Sequence, residues 1–202
     1  MQVPPPEHSD DLIEWSLGFI DTTINFGPIP EVKKNRKNWK EFVSNNFGFI
    51  ANQFTRLGSD ISEEYFIELV DTYLISKPLP RKLYVKQDSY PVNSLSIEYH
   101  KEAYGIIVKQ RPDDFGLPII RPLKKDWLEF WAKLEKIDFW DLGDNYFDRD
   151  ILDGFWGDVH ITYKNKKKVI VYNVDLPDTF TKLSKVLRRL VSIPKEEDWS
   201  LF

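Results

Sequence analysis

Over the first 80 positions, apolar residues recur three and four apart, the spacing that lines one face of a helix. Leu12, Ile13, Ser16, Leu17, Ile20 and Ile24 make one such stripe. It predicts a helix from a cap at Ser9 or Asp10 to about Thr23, with a strand over Glu14–Phe19 as the alternative because Gly18 interrupts it. Gly27-Pro28-Ile29-Pro30 reads as a break. A second helix is expected over about Asn35–Leu57, where Trp39, Phe42, Val43, Phe47, Ile50, Phe54 and Leu57 share a face, and Gly58 is placed to stop it. Ser59-Asp60 reads as the cap of a third helix, with Glu63 and Glu64 in its first turn. Its apolar stripe is Tyr65, Phe66, Leu69, Val70, Tyr73 and Leu74, and Pro78 and Pro80 end it.

From Leu83 the period shortens to two. Leu83-Tyr84-Val85 reads as a short strand, and Leu95, Ile97 and Tyr99 alternate with Ser96, Glu98 and His100. Gly105–Lys109 is positioned to return as the partner of that second strand. Asp113–Pro122 reads as a loop before a helix over about Leu123–Ile137, with Trp127, Phe130, Trp131 and Leu134 on its buried side. A second hairpin follows: Val159, Ile161 and Tyr163 face one way, Asp158, His160 and Thr162 the other. Lys164–Lys168 is expected at its tip and Val169–Tyr172 on the return. Trp156 is expected to close the aromatic layer beneath the preceding helix. Asp175 or Asp178, with Pro177, opens a last helix carrying Phe180, Leu183, Val186, Leu187, Leu190 and Val191.

The predicted fold class is therefore α+β. N-terminal amphipathic helices precede a ββαββα antiparallel sheet with helices on one face. The expected boundaries are a tail at 1–8, a helical region at 9–80, a sheet domain at 83–193 and a charged tail at 194–202.

Composition narrows the function classes. The chain holds no cysteine, which removes disulfides, thiolate zinc sites and cysteine nucleophiles and fits a cytoplasmic protein. With 32 acidic against 28 basic residues it lacks the basic excess of a dedicated nucleic-acid binder. No apolar run is long enough to span a bilayer, so no membrane partner is expected. The Gly-rich phosphate loop, the Gly-x-Ser-x-Gly elbow and the His-Glu-x-x-His pair are all missing, and nothing calls for a cofactor.

Two constellations remain. Glu98 with His100, and Asp158 with His160, each lie two apart on a strand. If neighbouring strands brought them together, they would supply the ligands or proton carriers of a metal-dependent or acid–base enzyme. The stretch 138–158 is rich in aspartate and interleaved with aromatics, and alternation alone would also make the polar sheet residues an ordinary solvated face. Trp140, Tyr146, Asp148 and Asp150 in that stretch, and Trp199 and Phe202 in the C-terminal tail, are the candidate contacts for another protein. The balance favours a small interaction module, of the immunity or antitoxin-like kind, over an enzyme.

Residues 94–191 resemble a family of uncharacterised bacterial proteins. The shared features are Trp127-x-x-Phe130-Trp131-x-x-Leu134, Phe139-Trp140, Tyr146, Asp153-Gly154-x-Trp156, the hairpin after it and Pro177-x-x-Phe180. Members usually carry a Gly-x-Asn-x-Tyr-Pro turn before the last helix. Here Tyr172-Asn173-Val174-Asp175-Leu176-Pro177 lacks the Gly and the Tyr and is spaced differently. The resemblance implies the architecture and brings no established activity.

Overall fold

A computed structural model of the 202-residue chain describes residues 7–8, 11–89, 93–109, 119–150, 155–173 and 176–191. Ser9, Asp10, the Asp153-Gly154 turn, Asp175 and the tail with Trp199 and Phe202 lie outside the described residues. The chain divides into two compact units, Met1–Lys77 and Pro78–Phe202.

The first unit is helical. α1 (Leu12–Phe26) buries Leu12, Ser16, Leu17, Ile20 and Ile24, so the stripe makes a helix and the strand alternative fails. The segment read as a plain break instead starts a helix, α2 (Ile29–Lys37). Pro30 sits in its first turn, where the missing N–H has no intrahelical partner to lose. α2 then gives way at Asn38 to α3 (Trp39–Arg56), which buries Val43, Ile50 and Phe54.

Gly58 ends α3 with φ of +70°. The Ser59 N–H bonds the Phe54 carbonyl at 3.0 Å and the Gly58 N–H bonds that of Thr55 at 3.1 Å, the paired bonds of a Schellman cap. Ser59 thus serves the end of α3, not the start of the next helix. That start is capped by Ser62, whose hydroxyl accepts from the Tyr65 N–H at 3.1 Å. α4 (Glu63–Val70) then widens into a π-helical segment, Asp71–Ser76.

The second unit is a six-stranded sheet with two helices on one side. Its strands are β1 (Lys82–Ser89), β2 (Asn93–His100), β3 (Gly105–Lys109), β4 (Asn145–Tyr146), β5 (Phe155–Tyr163) and β6 (Lys166–Tyr172), in the order β3-β2-β1-β5-β6-β4. All pairings are antiparallel except β4 with β6. β1 is a full eight-residue strand at the centre, where three residues were expected, and the short β4 falls inside the acidic stretch.

α5 (Lys124–Lys136) and α6 (Asp178–Leu190) pack on one face. Leu83, Val85, Ile97, Val108, Val159, Ile161, Ile170 and Tyr172 from the strands meet Trp127, Phe130, Leu134, Phe180, Leu183 and Leu187 in one core. Trp131 stacks on Tyr163 with ring centroids 3.9 Å apart, and its indole N–H donates to the Pro78 carbonyl at 2.7 Å. Pro177, not an aspartate, occupies the cap position of α6.

Gly157 is required by a close approach. Tyr172 crosses over it to donate its hydroxyl to the Lys86 carbonyl at 3.3 Å, and a Cβ on residue 157 would collide with both groups.

Candidate functional site

Alternation along the strands sends every second side chain to the face opposite α5 and α6. Lys82, Tyr84, Lys86 and Asp88 of β1 share that face with Ser96, Glu98 and His100 of β2 and with Trp156, Asp158, His160 and Thr162 of β5. No described helix of this unit packs there. Most of these side chains are half-buried, screened by one another.

The two His–carboxylate pairs do share one face, but β1 stands between their strands. Tyr84 is the register partner of Glu98 on one side and of His160 on the other. Glu98 and His160 are therefore two strand spacings, roughly 10 Å, apart along the backbone. Each pair closes on itself. Asp158 Oδ2 lies 3.0 Å from His160 Nε2, and Glu98 Oε2 lies 3.3 Å from His100 Nε2, the latter without hydrogen-bond alignment. Among the described residues no three His, Cys, Asp or Glu side chains are grouped to hold a metal ion. The convergence that a four-residue site needs is blocked by a strand that local sequence does not locate.

Tyr84 is the centre of this face. Its ring meets the His160 ring edge-on at 5.8 Å, with the Lys82 ammonium 5.7 Å from its centroid. Burial, and then the nearby Asp158 carboxylate, push its phenol above the ordinary value. Beside it Lys86 bonds Asp88 at 2.5 Å, and that bond raises the lysine pKa. As a chemical device the Asp158–His160 pair can orient an imidazole.

The expected tip of five basic residues is divided by the same alternation. Only Lys164 and Asn165 form the turn, with Lys164 at φ of +53°, and Lys166 already begins β6. Lys166 and Lys168 turn toward the helix side, where they pair with Glu135 and Asp144 at 2.7 and 2.8 Å. Part of the acidic stretch is thus neutralised within the chain. Trp140 joins that network, donating its indole N–H to Glu135 at 3.0 Å beneath the Lys166 ammonium. Tyr146 packs on Phe180 and accepts the Gly143 N–H with its hydroxyl at 3.0 Å. Of the proposed contacts, these two serve the fold.

Asp148 and Asp150 stay exposed, and neither makes an ion pair with a described cation. Asp148 is tied to the end of β6. The Asn173 side chain exchanges two 2.6 Å bonds with the Asp148 backbone, and the Asp148 carboxylate accepts the Asp150 N–H at 2.9 Å.

Trp156 is the residue that sequence reading assigned to the wrong layer. It is 47% exposed, on the open face, diagonal across β5 and β6 from Val171 at 41%. Phe147, the residue after β4, is 51% exposed at the same end of the sheet. The parity of Trp156 with Asp158 and His160 was the available signal, because residues two apart on a strand share a face. Phe147 had none beyond its place among aspartates.

In comparisons with known proteins, no family model, no curated protein and no solved structure matches the chain, so the family resemblance of residues 94–191 carries no further argument.

Proposed function

We propose that this chain works by binding another protein through the end of its open sheet face. The observation that carries this reading is a set of large apolar side chains exposed at one end of the sheet: Trp156 and its diagonal neighbour Val171 on the open face, and Phe147 one strand further out, just past β4. A rigid aromatic anchor with apolar neighbours is the usual centre of a protein interface. Asp148 and Asp150, exposed just past Phe147, fit a partner whose apolar segment is flanked by lysine or arginine. Such charges steer association and select partners. An immunity or antitoxin-like factor is the class that acts in this way, by covering a partner and doing no chemistry of its own.

An acid–base enzyme, the other reading of the sequence, would have to work with the Asp158–His160 pair alone, because β1 separates it from Glu98 and His100. The exposed corner favours binding.

The test is affinity capture from native lysate with the full chain and, in parallel, with F147S/W156S. The expected result is a stoichiometric partner held by the wild type and lost by the variant. With the purified pair, W156A should weaken binding by at least about 30-fold, the range of an interface hot spot. A partner held equally by both proteins overturns the assignment of this face.

A further inference from the structure

Phe26 and Ile29 are the most exposed large hydrophobic residues described in the chain, at 79% and 74%. They flank the Gly27-Pro28 turn joining α1 to α2. A helix–helix turn is ordinarily polar, and neither residue gains anything for the fold by standing in water. The helix that follows is densely basic. Lys33, Lys34, Arg36 and Lys37 of α2 are all exposed, and Lys40 follows in the first turn of α3.

The two features point the same way. At 100° per residue, Ile29, Lys33, Arg36 and Lys37 share an arc of about 100° on α2, half-buried Val32 borders that arc on the Arg36 side, and buried Asn35 lies beyond Val32. Lys33, Lys34 and Lys37 make no ion pair with a described residue, and Arg36 reaches only the Asn25 side-chain oxygen, at 3.4 Å. Basic residues in the last turn complement the helix dipole, which accounts for some of the charge. It does not account for the apolar pair set beside it.

We infer that this corner docks on an anionic lipid surface. Phe26 and Ile29 enter the boundary between headgroups and acyl chains, and Lys33, Arg36 and Lys37 of α2 lie against the headgroup charge. Apolar insertion combined with basic attraction is the pairing by which interfacial helices hold to membranes. A nucleic acid would use the cations but has no place for Ile29, which carries no ring to stack on a base. The contact is peripheral, since no described helix is long and apolar enough to cross a membrane. This site is independent of the sheet face and stands or falls without it.

The experiment is co-sedimentation of the full chain with phosphatidylcholine vesicles and with vesicles containing about 30% phosphatidylserine, at low and high salt. Binding to the anionic vesicles alone is expected, weakening as salt rises. K33Q/R36Q/K37Q should lower the partition coefficient on the order of 100-fold. F26S/I29S should lower it roughly 10-fold or more, with an unchanged circular dichroism spectrum because both side chains lie outside the core. No sedimentation with the anionic vesicles overturns the inference. So does binding that F26S/I29S leaves intact, or tighter binding to a DNA duplex or an acidic polypeptide, either of which would mark the corner as a general polyanion site.

Discussion

Consider the two faces of the sheet in the second unit. Val85, Ile97, Val159 and Ile161 meet α5 and α6 and are fully buried, while Tyr84, Lys86, Glu98, Asp158 and His160 stand one residue away on the same strands and are only half-buried. The covered face holds a continuous aromatic layer: Tyr99 against Trp127, Trp131 on Tyr163, and Tyr172 against Phe180. The open face holds the Lys86–Asp88 ion pair, two His–carboxylate contacts and, at one end, apolar side chains with nothing described from this unit over them. One backbone supports both because the period of a strand is two. The covered face is where stability resides, and the open face is free to vary in chemistry without unfolding the sheet.

The largest test of that contrast removes a wall of the covered face. Trp127→Ala should destabilise the protein by about 3–5 kcal/mol in urea denaturation, as expected for emptying a fully buried aromatic site. A loss below about 1 kcal/mol would mean that the covered face is not the stabilising one. Gly157→Ala comes next. Its new Cβ would collide with the Lys86 carbonyl and the Tyr172 hydroxyl, so a loss of about 1–3 kcal/mol is expected. Tyr172→Phe, which gives up the 3.3 Å bond to the Lys86 carbonyl, should cost about 1 kcal/mol, and if it costs more than Gly157→Ala the packing account is wrong.

Alkaline pH tests how far the tyrosines of the covered face are buried. Burial raises the phenol pKa values of Tyr99 and Tyr172 on the covered face above the ordinary 10.0, and of Tyr84 on the open face as well. A raised folded value means that the native state keeps protons which the unfolded chain releases above about pH 10. The stability contributed by the neutral phenols is complete below that pH and is lost as pH climbs toward the raised folded values. Stability should therefore begin to fall near about pH 10 and keep falling above it, and less steeply in Tyr99→Phe. Equal slopes in the two proteins would remove the buried phenol as the cause.

The smallest effects belong to the open face. Trp156→Ser should change stability by no more than about 0.5 kcal/mol, and Asp158→Asn by no more than about 1 kcal/mol for a partly exposed ion pair. A Trp156→Ser protein that unfolds several degrees earlier would show that this tryptophan belongs to the core after all.

Much of the secondary structure was legible in the residues. The stripes of α1, α5 and α6 buried as their spacing predicts, and Gly58 ends α3, because periodicity and positive φ are local properties. Errors arose where two local signals competed. Pro28 and Pro30 read as a break, although proline also suits a first helical turn. Ser59 and Ser62 are both plausible caps, and the Schellman bonds of α3 take the first. The candidate site was legible by halves. Alternation put Glu98, His100, Asp158 and His160 on one face and should have put Trp156 with them.

Alternation, helical periodicity and the missing cysteines are fixed by the chain itself: they determine the α+β class, the residues that share a face and the chemistries that lack their side chains. The order β3-β2-β1-β5-β6-β4 was decided only by the tertiary structure. Strand neighbours are chosen by contacts far apart in sequence, in which the covered faces of β1 and β5 find each other beneath α5 and α6. That choice set Tyr84 between Glu98 and His160, kept the two His–carboxylate pairs apart, and left Trp156 in the open.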